Sequence, residues 1–197
     1  MSKPTPSAFT VFSIITAAFF LLSFKQDASR TTAQEYQEVI MSPEQKLKEM
    51  GVDLYPMDTP VANYVQAVRT GNLIFLAGHG PRKPEGGYVT GKVGKEIDLE
   101  KAKEAARLTA INLLSSLKGE IGDLSRVKRI VKVLGMVNAV ESFTAHPQVI
   151  NGCSDFLVAV FGDRGKHARS AVGMGSLPMN ISVEIEMIVE VEGNSKR

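Results

Sequence analysis

The sequence predicts an α+β domain: one mixed sheet carrying two helices on one of its faces, in the order β-β-α-β-α-β-β. Three observations carry that prediction. Residues 64–69 and 73–77 are apolar-rich runs joined by Thr70-Gly71-Asn72, the pattern of a β-hairpin. Two segments, about 98–117 and 147–161, repeat apolar residues at helical spacing. Residues 182–191 alternate strictly, with Val183, Ile185, Met187, Val189 and Val191 on one side and Glu184, Glu186, Ile188 and Glu190 on the other. Strands and helices mixed in this way, with hairpins expected at both ends, segregate the helices to one face of the sheet.

The elements follow in chain order. Residues 8–24 form an uncharged, mostly apolar run after Lys3, closed by Lys25, Asp27 and Arg30. As a helix it would be about 26 Å long, close to the thickness of a bilayer core. It reads as a secretory signal or an uncleaved anchor; a buried core helix would need a polar face, which this run lacks. Export to a periplasmic or extracellular location is expected, and membrane contact only through these residues. Residues 25–59 read as a linker with one short helix. Ser42 is placed as its N-cap, Pro43 at its first position, Gln45 to close a capping box and Gly51 as its stop. The domain is expected over residues 60–192, with a tail at 193–197.

Within the domain, a loop rich in Gly and Pro follows the hairpin from Gly78 to Gly94. Asp98 is suited to cap the long helix, whose face is Ala102, Ala106, Ala110, Leu113, Leu114 and Leu117. Residues 130–137 are a strand apolar on both sides, with Ile130, Leu134 and Met136 expected on one face and Val131, Val133 and Val137 on the other. Such a strand suits a sheet whose open face is covered in an oligomer. The second helix turns Val149, Ile150, Cys153, Leu157 and Val160 inward and stops at Gly162. The Arg169 strand and residues 182–191 complete the sheet.

Charge and composition exclude several functions. The net charge is +2 with no dense basic block and no tryptophan. The positive stretches at residues 101–107 and 128–132 read as solvated faces, so nucleic acid is not the favoured partner. The single cysteine, Cys153, rules out an intrachain disulfide, and no Cys/His group has metal-ligand spacing. Neither a metal nor an organic cofactor is expected. The C-terminal block supplies chemistry instead. Arg169 carries a guanidinium fork, the side chain best matched to a carboxylate. Glu184, fifteen positions later, can move a proton at a reacting carbon. Together they suggest a site for a small carboxylate-bearing metabolite. His79, in a Gly-rich loop after a strand, is a candidate contact or a loop hydrogen bond.

These residues resemble the RidA family, also called YjgF or L-PSP endoribonuclease-like, whose domains have a chorismate-mutase-like fold. The resemblance runs from about Asn63 to Glu192. It rests on Tyr64-Val65-Gln66, Thr70-Gly71-Asn72, Ala77-Gly78, Gly122-Asp123-Leu124, and above all the block from Ala168-Arg169-Ser170 through Leu177-Pro178 to Glu184-Ile185-Glu186. It implies a homotrimer with clefts between subunits. It implies hydrolytic deamination of reactive 2-imino or 2-enamino acids to 2-oxo acids and ammonia. Arg169 would bind the substrate carboxylate and Glu184 would position the attacking water. Tyr64, Gly78, His79, Ala171 and, with one inserted residue, Asn151 would line the pocket. Two positions depart from the family. Ala171 replaces a common cysteine, and His79 stands where deaminase members often have glutamine. A non-catalytic binder of 2-oxo acids in the same cleft, and an endoribonuclease of L-PSP type, are the alternatives.

Overall fold

A computed structural model describes residues 41–56 and 63–193. The apolar run at 8–24, the linker up to residue 40, the expected domain start at residue 60 and residues 194–197 of the tail lie outside the described residues. One compact unit, Ser42–Arg197, carries every element described below.

Helix α1 is Pro43–Glu49, and its capping box forms as the residues dictate. The Gln45 amide donates to the Ser42 hydroxyl at 3.2 Å, and the Gln45 side chain accepts from the Ser42 amide at 2.8 Å. Strands β1 (Ala67–Thr70) and β2 (Leu73–His79) make the hairpin. Gly71 at its turn has φ of 57°, a conformation glycine adopts without cost. Helix α2 (Leu99–Ile121) starts where Asp98 accepts from the Lys101 amide at 2.8 Å and ends at Gly122. Strand β3 is Val127–Asn138, helix α3 is His146–Phe161, and strands β4 and β5 are Ala168–Met174 and Val183–Val191. The element order of the domain is the expected one, and the fold is an α+β mixed five-stranded sheet with helices packed on it.

The six α2 residues assigned to its inner face are all fully buried, as are Val149, Ile150, Cys153 and Leu157 on α3. Helix α2 is buried further round than one face, because loop backbone also covers it. Asn112 donates to the carbonyls of Gly80 at 3.0 Å and Arg82 at 3.1 Å, so a buried amide ties the loop after β2 to the helix.

The sheet order is β1-β2-β5-β3-β4, with β3 and β4 parallel and all other pairs antiparallel. This corrects the expected C-terminal hairpin. Strands β4 and β5 are consecutive in sequence but β3 lies between them. The reason is that β3 and β5 are the long apolar strands and take the centre. Helix α3 then returns the chain in a crossover that leaves β4 parallel to β3 at the edge.

A second correction concerns β3. Ile130 pairs with Val189 and Lys132 with Ile188, so two residues of β3 advance against one of β5. Val131 is the extra residue of a β-bulge, and the strand's parity reverses there. Ile130 therefore joins Val133 and Val137 on the helix side, fully buried, while Leu134 and Met136 alone keep the open face.

The open face carries an apolar patch and is uncovered by any described element. Val68 and Phe75 are 55% and 40% exposed, and they border a depression of about 320 Å³ shared with Val65, Ala77, Leu134, Glu186 and Ile188.

Candidate functional site

Strand β4 is an edge strand, and its alternation decides where Arg169 points. Arg169 lies beside Val133, which is fully buried under the helices, so its side chain rises on the helix side. There Nη1 donates to Asn151 Oδ1 at 2.8 Å and to Ser154 Oγ at 3.1 Å, both on α3. Both Nη1 hydrogens are thereby used. The Nε–Nη2 edge, with two parallel N–H groups, has no partner among the described residues. That edge is the one a carboxylate engages side-on in a bidentate pair. Ala171 is half-buried two residues on, beside Gly135.

Glu184 belongs to the other face. It pairs with Met136 on the open side of the sheet and stands between the buried Val183 and Ile185. Its carboxylate lies directly over Gly78, where a Cβ would sit 2.1 Å from Oε1. Gly78 is therefore the residue that makes room for it. Burial raises the Glu184 carboxyl above its ordinary value of 4.5, and the charge of Glu186 adds to the rise. No hydrogen bond or ion pair among the described residues reaches this carboxylate. Tyr64 precedes β1 and is 55% exposed, while its neighbour Val65 borders the open-face depression.

The sequence-derived candidates thus fall into two groups. Asn151, Arg169 and Ala171 gather at the β4 edge with α3. Gly78 and Glu184 gather on the open face between β2 and β5. The expected direct pairing of Arg169 with Glu184 does not form within one protomer: a strand separates β4 from β5, the two side chains occupy opposite faces, and their β3 neighbours are three residues apart.

His79 is turned into the core instead of the loop. It is 3% exposed, its Nδ1 contacts the Ala77 carbonyl at 2.7 Å, and its Nε2 contacts Ser116 Oγ on α2 at 2.7 Å. The cause is a bulge in β2: between Leu76 and His79 three residues advance against two of β5, and His79 lands on the helix side. Its ring is occupied by structural hydrogen bonds. Burial pushes its pKa below 6.5, so the unfolded chain takes up the proton more readily. Stability contributed by neutral His79 is complete well above 6.5 and is lost as pH falls from there through the lowered native value. Urea midpoints should drop as pH is taken below about 6.5, and the drop should shrink in His79→Gln; an equal drop in both would refute this origin.

Two further residues stand at the β4 edge: Ser154, which the sequence reading does not single out, and His167, which on sequence alone reads as structural. Ser154 lies three positions after Asn151, on the same helix face, and His167 lies two before Arg169, just ahead of the strand. Ser154 Oγ contacts His167 Nε2 at 3.1 Å, and His167 Nδ1 contacts the Gly165 carbonyl at 2.7 Å. Helical and strand periodicity around Asn151 and Arg169 is the signal that could have found them. Cys153 is fully buried, and burial drives its thiol up to about 12, so it serves as core and not as a nucleophile. Among the described residues there is no group of three or more His, Cys, Asp or Glu side chains that could hold a metal ion.

Comparison with known proteins places this geometry in context. Residues 44–191 match the family described as "YjgF/chorismate_mutase-like, putative endoribonuclease". Protein TCP17 of Trypanosoma cruzi is 38% identical over 74% of this chain and 91% of the relative. The 2-iminobutanoate/2-iminopropanoate deaminase of Dermatophagoides farinae is 30% identical over 68% of this chain and 89% of the relative. The crystal structure of the protein Atu1372, of unknown function, from Agrobacterium tumefaciens superimposes with a TM-score of 0.69 at 43% identity, covering 76% of this chain and 94% of that one.

Proposed function

The chain belongs to the YjgF/chorismate mutase-like family, and on that premise we propose that it hydrolyses small reactive 2-imino or 2-enamino acids to 2-oxo acids and ammonia. One observation carries the reading: Asn151 and Ser154 hold Nη1 of Arg169 and leave its Nε–Nη2 edge as a fork for a carboxylate. The Dermatophagoides farinae relative, named as a deaminase of such imines, supports the same substrate class.

In this reading the fork fixes the carboxylate and so aims the adjacent C=N carbon. Water adds to that carbon while a proton reaches the nitrogen, giving a carbinolamine. The carbinolamine releases ammonia as its hydroxyl proton departs and the C=O bond forms. Glu184 is the group that takes a proton from water and returns one to nitrogen. It must be ionised to begin, so turnover falls as pH drops through its raised pKa. Because Arg169 and Glu184 stand apart in one protomer, the complete site is assembled between copies. The exposed apolar open face supplies the surface for that association, and a ring of three copies is the arrangement proposed.

The test is ammonia release from an enzymatically generated 2-imino acid. Wild type should exceed the uncatalysed rate and Arg169→Ala should not. A wild-type rate equal to the uncatalysed one across several imino acids sinks the reading. The separation of Glu184 from Arg169 favours one alternative, a binding protein for 2-oxo acids. Its mark would be a ligand that stabilises wild type and Glu184→Ala equally, with no turnover by either.

A further inference from the structure

Arg169 is held by a chain of hydrogen bonds whose direction is fixed by chemistry. The Gly165 carbonyl can only accept, so the His167 Nδ1 that contacts it at 2.7 Å carries the hydrogen. In the neutral ring Nε2 is then a bare lone pair. Ser154 Oγ, 3.1 Å from that lone pair, donates its one hydrogen there. Its own lone pairs are thereby left for Arg169 Nη1, at 3.1 Å, a group that can only donate. The second Nη1 hydrogen goes to Asn151 Oδ1.

We propose that Ser154 and His167 are positioning residues for Arg169: the Nδ1–H form of His167 commits the Ser154 hydroxyl as an acceptor, which pins Nη1 and presents the Nε–Nη2 edge to the substrate carboxylate. This rests on the carboxylate reading above and adds to it two residues that touch no substrate. The surroundings of His167 favour the neutral ring. Burial and the Arg169 charge both lower its pKa, and the carbonyl contact opposes them more weakly than burial acts. The other ionisable groups nearby are otherwise engaged or neutral. Cys153 on α3 is a thiol, Arg164 donates to the Ser125 and Val127 carbonyls, Lys166 pairs with Asp163, and Lys132 donates to Ser170 on the open face.

Pyruvate binding and imine turnover test the proposal. Loss of a hydrogen bond to a charged donor in Ser154→Ala should weaken pyruvate binding about tenfold, and the change should appear in KM and not in kcat. His167→Leu should match it. His167→Gln, whose carbonyl oxygen can replace the Nε2 lone pair, should restore affinity to within about threefold of wild type. Wild-type affinity in Ser154→Ala, with binding lost in Arg169→Ala, overturns the positioning proposal and leaves the carboxylate reading standing. Equal pyruvate binding by wild type and Arg169→Ala overturns the carboxylate reading instead. A ligand-free measurement decides the chain itself: ¹⁵N NMR of His167 should show the Nδ1–H tautomer, and an Nε2–H ring overturns the proposal whatever the ligand does.

Discussion

Arg169→Ala and Glu184→Gln should each abolish imine hydrolysis, and unfolding and refolding the two together should restore about one quarter of the wild-type rate. Each loss is large for its own reason. Removing Arg169 deletes the charge-assisted fork, which is worth about 2–5 kcal/mol where such a pair is desolvated. Replacing Glu184 by an amide removes the proton-transfer group, a step that contributes about 10²–10⁴-fold. The recovery follows from sheet geometry. Arg169 rises toward α3 at the β4 edge, and Glu184 lies on the open face two strands away. In a closed ring, each site would take its arginine from one copy and its glutamate from the next. Random mixing then gives an intact site wherever a Glu184→Gln subunit supplies arginine to a glutamate from an Arg169→Ala neighbour. Ammonia release after refolding from urea measures it, and mixing without unfolding is the control. No recovery beyond the two single variants would overturn the half-site arrangement.

What the sequence reveals and what it hides divides along the range of the interactions involved. The caps at Ser42 and Asp98, the buried stripe of α2 and the alternation of β5 are set by neighbours within four residues, and they read directly. Strand order is a long-range choice. Arg169 and Glu184 look like hairpin partners because their strands are consecutive, and nothing local says that β3 intervenes. Bulges are hidden for a similar reason. One added residue opposite Val189–Ile188 moves Ile130 to the core, and another irregularity in β2 carries His79 from a loop contact to Ser116. The site shows the same division. Arg169 is legible as a candidate carboxylate binder from its own chemistry. Asn151 needed an assumed insertion, and Ser154 and His167 gain meaning only when α3 is laid against the β4 edge.

Gly152→Ala should cost about 2 kcal/mol or more, although alanine is the better helix former. Gly152 lies in the second turn of α3, where that helix presses on α2. A Cβ there would stand 2.0 Å from the Lys103 carbonyl oxygen and 2.9 Å from its carbon. Those atoms are backbone within α2, so no rotamer change relieves the overlap. Only separation of the helices does, and separation opens the contacts of Leu113, Leu114, Ile150 and Leu157, all of which are fully buried. The propensity gain of about 1 kcal/mol is therefore outweighed. Gly119→Ala is the matched control: it lies in α2, is exposed, and a Cβ there meets nothing within 4 Å. It should stabilise by about 0.5–1 kcal/mol through propensity alone. Urea midpoints should move in opposite directions at constant slope. The same substitution also bears on function. Gly152 stands between Asn151 and Ser154, so moving α3 away from α2 displaces both partners of Arg169. Pyruvate affinity should fall in Gly152→Ala and hold in Gly119→Ala. A Gly152→Ala protein as stable as wild type would show that α3 can shift freely. The close α2–α3 approach would then not be what sets the geometry of the arginine.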